Sequence, residues 1–116
     1  MYSIHKSETK VLDMPGRIVN IMVGSKKLSS ERVTVGLTEV HPETTMAPHI
    51  HKDMEEIIYI IEGYGEASVG GSIEELEPHT AVVFPIGVEH KISNKSRNPM
   101  RFVFIFSPPN DFSSVK

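Results

Sequence analysis

A chain of 116 residues, 39% of them hydrophobic, is long enough for one domain with a single core and too short for two. A net charge of −3 and a pI near 6.0 exclude the basic field that nucleic acid or an anionic membrane surface requires. Cysteine is absent, which excludes a disulfide scaffold and a thiol nucleophile and leaves histidine and carboxylate to hold any metal.

The opening residues, Met-Tyr-Ser-Ile-His-Lys-Ser-Glu, contain no apolar leader core. No apolar run approaches the roughly 18 residues of a membrane span, so a soluble, cytoplasmic chain with no membrane or nucleic-acid partner is expected. Residues 1–16 are polar and irregular and end in the turn signal Met14-Pro15-Gly16, reading as an N-terminal arm; 17–110 read as one domain and 111–116 as a tail. A strand is expected over 17–24, with Ile18, Asn20 and Met22 on one face and Val19, Ile21 and Val23 on the other. After a Ser/Lys loop, 32–40 alternates Val33, Val35 and Leu37 against Arg32, Thr34, Gly36 and Thr38, as a half-buried antiparallel strand does. Residues 41–47 read as a loop. After Glu56, Ile-Ile-Tyr-Ile-Ile is apolar on both faces and needs cover on both, from two sheets or from a subunit interface.

Two strands flank Gly70-Gly71, a pair able to take the positive φ of a tight hairpin. Short strands follow at 81–84 and 90–94. The last, 100–107, alternates Met100, Phe102, Phe104 and Phe106 against Arg101, Val103 and Ile105 before Pro108-Pro109 ends it. No 3.6-residue period is sustained, and short strands punctuated by Gly and Pro indicate an all-β sandwich or small antiparallel barrel.

The densest chemistry lies in 49–63, His-Ile-His-Lys-Asp-Met-Glu-Glu-Ile-Ile-Tyr-Ile-Ile-Glu-Gly. His49 and His51, at i and i+2 of an extended segment, share one face with backbones roughly 7 Å apart. Glu55 and Glu56 follow, and His90 stands in Pro85-Ile-Gly-Val-Glu-His-Lys-Ile-Ser-Asn94. Three imidazoles with a carboxylate suit one divalent transition ion (Fe, Mn, Ni, Co or Zn) rather than calcium or magnesium. Periodicity leaves the choice of glutamate open: Glu55 shares the face of His51 on an uninterrupted strand, whereas a turn at Lys52-Asp53-Met54 resets the phase. Asn94 reads as turn chemistry, and His5, His41 and His79 as ordinary satisfied or solvated side chains.

The blocks His49-x-His51, four residues, Glu56, six residues, Gly63, and Pro85-x-Gly87, two residues, His90, three residues, Asn94, resemble the paired motifs of the cupin superfamily, in particular its small single-domain members. The resemblance covers about positions 35–107. It implies a small β-barrel or jelly roll, commonly a homodimer, with a metal held by His49, His51, Glu56 and His90. Two positions depart from the family pattern: Glu43 and His79 stand where it has glycines in turns of positive φ. Turns built differently, with Pro42 and Pro78 setting φ, are therefore expected.

Four such ligands leave a net charge near +1 and two open positions on an ion that prefers six. The expected function is a metal-dependent enzyme, a dioxygenase, isomerase or decarboxylase, acting on a small polar or anionic metabolite. No catalytic acid or base beyond the ligands identifies itself. Arg32, with Arg17 and Arg101 as further candidates, is expected to reach the substrate's carboxylate, and Ile58, Phe84 and Phe104 to keep the pocket small and dry. The alternative is a non-catalytic barrel that binds a sugar or sugar acid.

Overall fold

The computed structural model describes residues 2–110, so the tail at 111–116 lies outside the described residues. After a 3-10 turn at Lys6–Glu8 come the strands β1 (Val11–Met14), β2 (Arg17–Val23), β3 (Thr34–Val40), β4 (Thr44–Thr45), β5 (Glu55–Glu62), β6 (Gly65–Val69), β7 (Ser72–Leu76), β8 (Ala81–Phe84), β9 (His90–Asn94) and β10 (Met100–Ser107). They form two sheets, ordered β1-β2-β3-β10-β5-β8 and β4-β9-β6-β7, in which every pairing is antiparallel. This is the all-β jelly roll expected from the sequence. Among the described residues no helix is long and apolar enough to cross a membrane.

Period-two alternation builds the core. From one sheet, Ile58 and Ile60 of β5, Phe84 of β8 and Met100, Phe102, Phe104 and Phe106 of β10 point inward; Ala67, Leu76 and Ile92 meet them from the other. The Gly70-Gly71 hairpin forms as read, with both glycines at positive φ and Val69 opposite Ser72.

Three local expectations are corrected. The polar arm is not irregular throughout: Val11–Met14 pairs with β2 across the Pro15-Gly16 turn and becomes the edge of the larger sheet. On β3 the small and polar residues, Thr34, Gly36 and Thr38, face the core, while Val35 and Leu37 face out. The cause lies on the neighbouring strand, because Phe104 lies against Gly36, and a Cβ there would collide with the Phe104 ring and with the Asn20 carbonyl. Finally, the two turns that lack the family's glycines still take its backbone conformation, with φ of 53° at Glu43 and 73° at His79. Backbone bonds secure both: Glu43 N–H donates to the Ser96 carbonyl at 3.0 Å and His79 N–H to that of Ile60 at 2.8 Å. Prolines therefore do not replace the left-handed conformation; long-range pairing enforces it on ordinary residues at about 1–2 kcal/mol each.

Candidate metal centre

The four candidate ligands converge from three places in the chain. His49 and His90 are paired across the smaller sheet's edge, exchanging N–H···O bonds of 2.8 and 2.9 Å. His51, two residues on, is fixed through its carbonyl, which accepts from Gly87 N–H at 2.9 Å. The chain then bends at Lys52-Asp53 before β5 begins, and this bend sets the phase left open above: Glu55 is exposed and Glu56 points inward.

Inside, Glu56 Oε1 lies 3.1 Å from His51 Nε2 and 3.6 Å from His90 Nε2. The ligand atoms of His51, Glu56 and His90 all fall within 4.8 Å of one another. His49 lines the same cavity but stands further back, its ring 6.2 Å from that of His51 and 6.1 Å from that of His90. Phe84 stacks flat on His90 at 4.1 Å, and the edge of Phe106 meets His51 at 5.4 Å. These rings hold the imidazoles in place.

The donor chemistry fits a divalent ion. His90 Nδ1 lies 3.3 Å from the Val88 carbonyl, which can only accept, so Nδ1 carries a proton and Nε2 is the nitrogen turned toward Glu56. A carboxylate and two imidazole nitrogens meeting in a buried wall need a shared cation, which a proton on an imidazole or a divalent ion supplies. Burial alone would push the Glu56 carboxyl up, but hydrogen bonds and charge from His51 and His90 outweigh it and hold the group below its ordinary value. His49 is also held down, first by burial and then by the positive charge of Arg17 and the neighbouring histidines, which favours the neutral, ligating ring.

The cavity around this group has a volume of about 250 Å³. Of the expected substrate residues, Phe104 lines it, while Ile58 and Phe84 are buried in the packing behind the wall. Arg32 is exposed and outside the cavity, where its carbonyl accepts from Ser107 Oγ at 3.1 Å. Arg101 is engaged on the outer face by Glu39 and Glu62. The arginine at the cavity is Arg17, two residues before buried Val19 on β2. Parity alone does not single it out, since Arg32 stands two residues before buried Thr34 in the same way; it is the β1–β2 hairpin that brings Arg17 to the cavity. Asn94 is not a partner of the site. Its Nδ2 donates to the carbonyls of Val40, His41 and Asn98 and its Oδ1 accepts from Ser96, so it fastens a turn, as expected.

A model of the family described as "Cupin domain" matches residues 36–106. Polyketide synthase CurC of Streptomyces cyaneus is 30% identical over 74 residues, 64% of this chain and 48% of that protein; the chain spans about half the length of the curated relatives it matches. Among solved structures, ectoine synthase from P. lautus superposes with a TM-score of 0.84 at 23% identity, covering 99% of this chain and 83% of that one. KdgF from Halomonas sp. superposes at 0.81 and 21%, covering 96% of both chains. Likeness at these identities is one of fold.

Proposed function

The chain belongs to the cupin domain family, and within it we propose a metal-dependent enzyme acting on a small polar metabolite. The observation that carries this reading is the convergence of His51, Glu56 and His90 within 4.8 Å on the wall of a small cavity. His49 completes the proposed ligand set from the same wall. A divalent ion held there would supply Lewis acidity toward a carbonyl or hydroxyl oxygen of the ligand. The chain's own residues do the rest: Phe84 and Phe106 fix the imidazoles, Val88 fixes the tautomer of His90, and the apolar wall of Phe102, Phe104 and Ile92 excludes water.

Volume limits the substrate. At about 250 Å³ the cavity is smaller than the roughly 300–1,000 Å³ of pockets that enclose drug-sized ligands, which favours a metabolite of a few carbons over a multi-ring polyketide. Among the described residues no further carboxylate or histidine lines the cavity to act as a separate acid or base. Decarboxylation, in which polarising one oxygen does most of the work, is therefore favoured over isomerisation, whose proton transfer needs a base, with oxygenation the outcome if iron is loaded. We also infer a cytoplasmic homodimer: a chain without cysteine needs no oxidising compartment, and the outer face of the larger sheet is apolar.

The test is elemental analysis of protein purified without a histidine tag, with His51→Ala and His90→Ala variants alongside. Near-stoichiometric metal is expected in the parent and at least a tenfold loss in each variant. A parent that takes up no iron, manganese, nickel or zinc on reconstitution overturns the reading in favour of a metal-free sugar or sugar-acid binding barrel.

A further inference from the structure

The cavity contains a cation that the donor set does not use. Arg17 opens β2 directly after the Pro15-Gly16 turn and is placed by register opposite Val40 on one side and Met14 on the other. Its Nη1 donates to the Pro15 carbonyl at 3.1 Å, which steadies the guanidinium without neutralising it. Among the described residues no carboxylate forms an ion pair with Arg17, since Glu56 is engaged by His51 and His90, and Glu39 and Glu62 by Arg101. Burial pushes the Arg17 pKa below the ordinary arginine value, the mark of a guanidinium that has lost water, and only the charge of Glu56 opposes this. The second cation at the cavity, Lys91, is exposed, alternating outward between buried His90 and Ile92.

A half-desolvated guanidinium with no counter-ion is an incomplete site, and its planar fork of donors matches a carboxylate edge. The rest of the lining is mostly apolar, with Val19, Met46, Ile92 and Phe102 among it and Thr38, Lys91 and Asn110 as its polar members. We propose that Arg17 is the carboxylate anchor of the cavity and that the ligand is a small carboxylic acid whose other end carries an oxygen function facing His51, Glu56 and His90. This deepens, and rests on, the metal-site reading above. Substrate class then follows from two separated oxygen functions on a short apolar body, as in keto acids, hydroxy acids and dicarboxylates.

The experiment uses the full chain loaded with nickel and titrated calorimetrically with malonate, succinate, glutarate and adipate and with the monomethyl ester of each. The esters keep one carboxylate for the metal and lose the charge meant for Arg17. In the parent, at least one dicarboxylate is expected to bind about tenfold or more tighter than its ester. In Arg17→Gln that ratio should fall below about twofold with nickel content unchanged, and Arg17→Lys, which keeps the charge without the fork, should retain part of it. Lys91→Gln should leave the ratio intact. A parent with no preference at any length, or an Arg17→Gln variant that keeps it, overturns the proposal while the metal reading stands. If the parent takes up no metal, the metal reading falls, and Arg17 is judged by thermal shift with the same acid and ester pairs. Selective stabilisation by an acid that disappears in Arg17→Gln then supports the anchor, and its persistence, or its absence from the parent, overturns it.

Discussion

Glu56 and His49 show how single residues are tuned by what surrounds them. Glu56 stays ionised in a wall that would otherwise neutralise it, because two imidazoles point at the same oxygen. Its contribution to stability is present above the unfolded carboxyl pKa and lost as pH falls through its depressed folded value. His49 acts nearer neutrality. Burial and the charge of Arg17 lower its pKa beneath the ordinary 6.5. Below that pH the unfolded chain accepts a proton that the folded protein refuses, so the unfolded state binds more protons and stability rises with pH through the window just under 6.5. Metal-free protein is therefore expected to lose melting temperature steadily between pH 7.5 and 5.5, and His49→Gln to flatten that part of the profile. Circular-dichroism melts in chelator at half-unit pH steps check this; an unchanged slope in the variant would assign the loss to other groups.

At the scale of elements, the turns before β4 and β8 carry strain that the packing holds in place. Glu43 and His79 are the two non-glycine residues with positive φ among the described residues, and both are tied by backbone bonds to distant strands. His79 gains a side-chain partner as well, its Nδ1 lying 2.7 Å from the Tyr59 hydroxyl. Glu43 gains no such bond, so glycine there should relieve the left-handed penalty and return only part of it as unfolded-state entropy. Glu43→Gly is expected to stabilise the protein by about 0.5–1 kcal/mol, raising the melting temperature by a few degrees, and His79→Gly to stabilise it less. Thermal unfolding of the two variants beside the parent checks the order; a destabilised Glu43→Gly would show that the turn is not strained. The same logic explains β3, where Gly36 gives up a side chain so that Phe104 can reach the cavity wall.

The whole molecule has one face that its own fold leaves uncovered. Register places Val35, Ile105, Ile57 and Val83 in one row across β3, β10, β5 and β8, and Leu37, Val103, Tyr59 and Ala81 in the next, all on the outer side of the larger sheet. Ile57, Tyr59 and Val83 remain 37%, 42% and 48% exposed, too much apolar surface in one place for scattered residues. Beside it Arg101 joins Glu39 and Glu62 at 2.9 and 2.6 Å, a polar border of the kind that rims an interface. A second copy seated on these rows is expected to give a dimer of 13.0 kDa chains. Light scattering after size exclusion should report that dimer, and Ile57→Glu should shift it to monomer with secondary structure intact. A monomeric parent at micromolar concentration would leave the face to another partner.

Most strand positions, the Gly70-Gly71 hairpin and the spacing of His49 and His51 were legible in the sequence because each depends on near neighbours, namely alternation, turn residues and the i, i+2 geometry of an extended chain, whereas His90 was reached through the motif resemblance. Tertiary structure decided the rest. Glu56 rather than Glu55, a choice that periodicity left open and the motif resemblance made for Glu56, turns inward because a bend at Lys52-Asp53 changes the phase of β5. Arg17 rather than Arg32 reaches the cavity because the β1–β2 hairpin brings the start of β2 to the site, while Arg32 precedes β3 outside it. Which face of β3 is buried, and whether Glu43 and His79 adopt a glycine's conformation, are settled by Phe104 and by carbonyls far away in the chain. Local pattern specifies what a strand can present; only the partner across the core specifies which side it does present.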